Sequence, residues 1–126
     1  MAERFLQAHT DLRVRVREER SWGIAELGGD MDVFNAPRAR EALIDMIQNR
    51  SSNVIVDLSE VDFLDSTGLG VLVGALKRAQ QHGGTMRLVV TRPQVRKLFS
   101  VTGLDQVFGL YDDVEAALDA PHEEQS

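Results

Sequence analysis

The run Val54-Ile55-Val56 is apolar at every position, so both faces of its pleat must leave water, and a strand inside a covered or parallel sheet achieves that. Further along the period changes. Leu69, Leu72, Val73 and Leu76 recur at i, i+3, i+4 and i+7, while Lys77, Arg78 and Gln81 mark the polar side and the C-terminal end. A buried strand followed by an amphipathic helix is the repeating unit of parallel α/β sheets, because a parallel neighbour is reached only through a crossover. The rest of the chain must then supply elements that can join such a sheet.

It does so in order. Leu12, Val14 and Val16 alternate with Arg13, Arg15 and Arg17, the two-residue period of a strand with one buried face. Trp22 to Leu27 follows a short polar turn as a hairpin partner, and Gly28-Gly29-Asp30 is expected to end it. Asn35 as N-cap and Pro37 in the first turn open a helix in which Leu43, Met46, Ile47 and Arg50 follow at helical spacing, to about Asn49. The next helix begins near Ser66 and stops at Gly83-Gly84; Met86 to Val90 reads as a buried strand. Pro93 starts a third helix carrying Val95, Leu98 and Phe99, with Gly103 just past its end. A brief strand near Val107 and a last helix through Val114 and Leu118, capped by Asp112 or Asp113, complete the pattern.

The order β-β-α-β-α-β-α-(β)-α predicts an α/β fold: a mixed, mostly parallel sheet of four to five strands with an opening β-hairpin, covered by about four helices. With 126 residues and no internal repeat or linker, a single domain is expected, its core over about residues 11–119 between an arm (1–10) and a frayed polar tail (120–126). Strand-to-helix loops then gather at one edge of the sheet, where α/β proteins place binding groups.

Composition narrows the function. The absence of cysteine excludes disulfides, thiolate metal sites and cysteine nucleophiles. A formal net charge of −6 opposes nonspecific binding to nucleic acid or to an anionic membrane, which favours a protein partner. No uncharged stretch is long enough to span a bilayer and no signal-peptide core stands at the start, so a cytoplasmic protein is expected. Arg13, Arg15 and Arg17 lack an aromatic platform and read as a solvated strand face. His9, His82 and His122 are scattered over an arm, a helix end and a tail, which suggests no Ser-His-acid set, metal site or enzymatic activity, and no cofactor motif is present.

The distinctive segment is Val61-Asp62-Phe63-Leu64-Asp65-Ser66-Thr67-Gly68-Leu69-Gly70, where polar residues stand between an apolar approach and the amphipathic helix. Ser66 falls at or next to an N-cap, where its oxygen can accept a bond from a first-turn N–H. Asp65-Ser66-Thr67 can be a helix cap and nothing more. Glycines in a first turn, however, weaken a helix by roughly 1 kcal/mol each against alanine, so stability alone does not select Gly68 and Gly70. Two uses remain open for them: close helix-to-sheet packing, which Gly70 with Gly74 at i, i+4 fits, or a bare helix start that another protein's backbone can approach. A phosphate cradle is not matched, because Val73 stands where the dinucleotide fingerprint needs a small residue and no Gly-Lys-Ser/Thr is present.

Leu64-Asp65-Ser66-Thr67-Gly68-Leu69-Gly70-Val71-Leu72 resembles the signature of bacterial anti-sigma factor antagonists, which are single STAS domains. The resemblance extends upstream, where Gly29-Asp30-Met31-Asp32 and Asn35-Ala36-Pro37 are similar to the family's Gly-Glu-Leu-Asp and Thr-Ala-Pro elements. It implies a STAS fold and a partner-switching function. The unphosphorylated protein would bind an anti-sigma factor that is also an ATP-dependent serine kinase, releasing the sigma factor; phosphorylation of Ser66 would end that binding, and a metal-dependent serine phosphatase would reverse it. Asp30, Met31, Asp32, Asp65, Ser66, Thr67 and Gly68 are the candidate partner-binding residues. Asp32 and Asp65 can support the site either by bonding neighbouring backbone or by positioning the transferred phosphoryl group. The expected oligomeric state is monomer or weak dimer. The alternative is a STAS subunit of a transport or other regulatory complex that is never phosphorylated.

Overall fold

In the computed structural model, which describes residues 11–122, Val54, Ile55 and Val56 are fully buried in the third of five strands. The elements run β1 (Arg13–Glu19), β2 (Trp22–Met31), α1 (Ala36–Asn49), β3 (Val54–Leu64), α2 (Ser66–Gln81), β4 (Met86–Val89) and α3 (Pro93–Thr102), then a 3-10 turn (Leu104–Gln106), β5 (Gly109–Tyr111) and α4 (Val114–Asp119). The sheet order is β1-β2-β3-β4-β5; β1 and β2 pair antiparallel and every other pair is parallel. This is the expected mixed α/β fold with an opening hairpin.

The apolar run is explained by two separate clusters. On one face Val54 and Val56 pack with Leu43 and Met46 of α1, Leu72 and Ala79 of α2, and Val95 and Phe99 of α3. On the other, Ile55 joins Trp22, Ile24 and Val89 under Ala117 and Leu118 of α4. Along β1, Val14 is half-buried against the first cluster, but Val16 is 41% exposed, so the alternation marks a strand whose buried face fades towards its end. The arginine stripe lies in solvent, where Arg15 and Arg17 both pair with Glu26 of β2. Charged side chains on an edge strand also disfavour pairing with a second sheet.

Two sequence expectations are corrected. Gly28-Gly29-Asp30 does not end β2, which continues to Met31 through two register shifts against β3, between Glu26 and Gly28 and between Gly29 and Asp30. Gly29 has φ +93, a left-handed conformation that side chains rarely adopt, so glycine permits the bulged strand there. β3 runs on beyond the apolar run to Leu64 and so includes the first four residues of the distinctive segment. The second correction concerns the tail. Ala120, Pro121 and His122 are engaged, and residues 123–126, like the arm 1–10, lie outside the described residues.

What engages them is Arg87, 6% exposed on β4. Its Nη1 donates to the carbonyls of Ala117 (2.6 Å) and Ala120 (2.9 Å), and its Nη2 donates to that of Pro121 (2.8 Å). The guanidinium lies 4.5 Å from the centroid of the Trp22 ring, on which the His122 ring also stacks. Among the described residues no carboxylate pairs with Arg87; the carbonyl end of α4 balances the charge. A six-residue helix cannot persist alone, so α4 depends on this grip and on Asp113, whose Oδ1 accepts from Ala116 N at 2.7 Å. Arg87→Met is therefore expected to cost about 2 to 3 kcal/mol in urea unfolding, the range for bonds to a charged group, with α4 amides losing hydrogen-exchange protection first. A loss near zero would show that α4 docks by apolar contact alone.

Candidate functional site

The carboxyl ends of β2 and β3 lie side by side, Met31 opposite Leu64, and each strand leads directly into a loop and a helix. Asp65, the first residue after β3, ties these exits together. Its Oδ1 accepts from Gly68 N (3.0 Å) as the N-cap of α2, and its Oδ2 accepts from Val33 N (3.1 Å) in the loop before α1. Its own N–H points at the Met31 carbonyl, 3.4 Å away. Asp32, only 3% exposed, closes the neighbouring loop by accepting from Phe34 N and Asn35 N, each at 3.0 Å. Of the two roles open to these acids, bonding to backbone is the one their geometry displays.

Capping is thus done by Asp65, not by Ser66, which occupies the first helical position. Ser66 and Thr67 are both exposed, and neither their hydroxyls nor their N–H groups have a partner among the described residues. At α1, Asn35 is at the cap position, but its side chain makes no cap bond; its Nδ2 donates to the Asp30 carbonyl (3.0 Å). The result is a serine hydroxyl at a helix threshold, on a backbone held from both sides.

The remaining candidates separate. Asp30 is half-buried at the end of β2. Met31 is fully buried, so its side chain belongs to the core and cannot face a partner; only its carbonyl takes part in the site. Gly68 is buried as well: a Cβ there would stand 2.5 Å from both the Met31 carbonyl oxygen and Leu64 Cδ1, so the close approach it permits comes from within the chain. Gly70 and Gly74 reverse the packing expectation, since both are exposed and a Cβ on either would meet nothing within 4 Å. Ser66, Gly70 and Gly74, four residues apart, share one open side of α2.

Sequence reading did not single out the exposed apolar members of this edge. Val33 is 56% exposed, Phe34 70% and Phe63 51%. Asp62 pairs with Arg92, whose Nε also donates to the Ser59 carbonyl (3.0 Å) and covers β3 where it extends beyond β4. Phe63 stood in plain view in the apolar approach, but alternation does not reveal outward residues in a strand with irregular register. Among the described residues no group of three or more His, Asp or Glu side chains is placed to hold a metal, and no helix is long and apolar enough to cross a membrane.

Residues 13–117 match the family profile described as the STAS domain. The anti-sigma-B factor antagonist of Staphylococcus epidermidis is 33% identical over 90 residues, covering 71% of this chain and 83% of that protein. An anti-sigma factor antagonist from Mycobacterium paratuberculosis superposes with a TM-score of 0.79 at 27% identity, covering 86% of this chain and 92% of that one. The anti-sigma factor antagonist SpoIIAA in its unphosphorylated form shares the fold with a TM-score of 0.72 at 24% identity, over 85% and 94% of the two chains.

The glycines give a signed test of the site's architecture. Gly70→Ala and Gly74→Ala are each expected to raise unfolding stability by about 0.5 to 1 kcal/mol, because a methyl meets open space and alanine favours helix. Gly68→Ala should lower it by about 1 to 3 kcal/mol through overpacking. Asp65→Ala should cost about 1 to 2 kcal/mol as a lost cap. Chemical denaturation of the four variants checks all the signs.

Proposed function

The chain belongs to the STAS domain family, and on that footing we propose that it is an anti-sigma factor antagonist whose Ser66 hydroxyl is the phosphoacceptor of a partner switch. The observation that carries the proposal is the position of that hydroxyl, exposed and unbonded among the described residues, at the first position of a helix whose cap is supplied by its neighbour. An alcohol already committed to capping would have to break its bond before reaching a phosphoryl donor. Ser66 has no such bond to break.

The unmodified protein binds an anti-sigma factor that is also an ATP-dependent serine kinase, and the sigma factor held there is set free. Phosphoryl transfer to Ser66 replaces the hydroxyl proton with a group carrying about −1.5 to −2 charges. The free N–H groups of Ser66 and Thr67 and the positive end of the α2 dipole make that charge tolerable to the fold. A protein of this fold, SpoIIAA of Bacillus, is known in a phosphorylated form. A docked partner is treated differently. Any of its carboxylates brought to contact distance of the phosphoryl group meets repulsion on the order of a few kcal/mol at an effective dielectric of ~20, roughly a hundredfold in affinity. A metal-dependent serine phosphatase returns the protein to its binding form.

Co-expression with each ATP-dependent anti-sigma factor of the same genome, followed by intact-mass measurement, tests the proposal. One phosphate is expected on the native protein and on Thr67→Ala, and none on Ser66→Ala. Ser66→Ala should hold the kinase persistently, and Ser66→Asp should bind it roughly a hundredfold more weakly, with both variants keeping the native fold. Equal affinity of the two variants, or a phosphate that survives Ser66→Ala, would overturn the assignment.

A further inference from the structure

Six large apolar side chains are exposed among the described residues: Val16, Val33, Phe34, Phe63, Val101 and Val107. Val33, Phe34 and Phe63 belong to the two loop approaches that the Asp65 carboxylate joins. Val33 hangs from the backbone N–H held by Asp65 Oδ2, and Phe63, opposite Asp30 in the sheet, stands two residues before Asp65. Their exposures of 56% and 51% leave apolar surface in water on both sides of the acid that positions Ser66. Internal packing does not account for either side chain, and exposed apolar surface beside a reactive group is what a docking partner can bury.

The electrostatics of the same edge narrow the occupant. Glu60 and Asp62 are exposed and Asp65 is half-buried; Asp65 bonds only to backbone, Arg92 pairs with Asp62, and the Arg13 guanidinium lies beside Gly28, opposite Glu60 in the sheet. An apolar centre with acidic neighbours fits a partner surface of apolar side chains that carries lysine or arginine opposite Glu60 and Asp62, and a carboxylate, the one phosphorylation repels, opposite Ser66. Because Ser66 follows Asp65 directly, whatever phosphorylates it must come to the edge where Asp65 holds the Val33 loop.

We propose that Val33 and Phe63 are apolar anchors for the serine kinase that modifies Ser66, buried by an apolar patch on the kinase that carries basic side chains opposite Glu60 and Asp62. This rests on the reading of Ser66 as phosphoacceptor, and it adds the residues that set affinity and the chemistry of the opposing surface. Aromatic and aliphatic side chains that become fully desolvated carry most of the binding energy in protein interfaces, while rim charges act chiefly on the association rate.

The test uses the anti-sigma factor kinase that phosphorylates Ser66 in the native protein, with the dissociation constant of the unphosphorylated complex and the phosphorylation rate as readouts. Phe63→Ser is expected to weaken binding at least tenfold and Val33→Ser several-fold, each lowering the phosphorylation rate at subsaturating antagonist by a similar factor. Thermal melting should move little, because both side chains already face water. Val101→Ser and Val107→Ser, which remove exposed apolar groups outside the site, should leave binding within twofold. Raising the salt concentration should slow association of the native protein and of Phe63→Ser alike. Unchanged affinity in Phe63→Ser and Val33→Ser, or an equal loss in the two controls, overturns the anchors while leaving the phosphoacceptor reading intact. If no such kinase phosphorylates the native protein, the functional reading itself fails.

Discussion

One carboxylate sets the geometry of the edge where β2 and β3 end. Asp65 accepts from a helix start with one oxygen and from the loop of another element with the other, so the exits of β2 and β3 move as a unit. A residue that only capped α2 would leave the Val33 loop to find its own position; a residue that bonded only the loop would leave Gly68 N–H unsatisfied in a buried place. The double engagement also explains Gly68. To bring its N–H onto Asp65 the first turn of α2 must lie against the Met31 carbonyl, with no space for a Cβ.

Because the acid takes the cap, the serine is left free. In the proposed switch the two neighbouring residues divide the work: Asp65 holds the backbone and Ser66 carries the chemistry. An added phosphoryl group would find a fixed frame with two unused N–H donors, so the modification changes what the surface presents and not how the chain folds. The exposed glycines of α2 belong to the same economy of form. A helix that gives up roughly 0.5 to 1 kcal/mol at each of Gly70 and Gly74, with no neighbour requiring their smallness, retains a bare face beside the modified hydroxyl.

Much of this was legible in the residues, and the failures have identifiable causes. Val54-Ile55-Val56, β-branched and apolar on both pleat faces, suited a strand covered on both sides, and the helix period after Ser66 placed a helix start at the right residue. The Asp65-Ser66-Thr67-Gly68 string disclosed the site but not which side chain caps it, since aspartate and serine are equally good acceptors and the choice is made by Val33 N–H, thirty-two positions away in sequence. Glycine was the least readable residue. Gly28-Gly29 continues a bulged strand, Gly68 fits against a carbonyl, and Gly70 faces open space, three uses that carry one letter. The β1–β2 turn was equally silent: Arg20 and Ser21 both take positive φ, +53 and +69, without the glycine or asparagine that would advertise it.

The two ends of α2 suit the molecule to being read only locally. Sixteen residues at 1.5 Å each carry the helix about 24 Å from Ser66 to Gln81, more than twice the screening length of about 8 Å at physiological salt. Beyond that far end Arg87 gathers α4, Trp22 and the last described residues into a lock with no ion-pair partner of its own among them. The β3 backbone is paired on both edges over its first four residues, Val54 to Asp57. In the proposed switch the signal is sensed by contact at the edge where it is written, and the partner, not the domain, supplies the change of state.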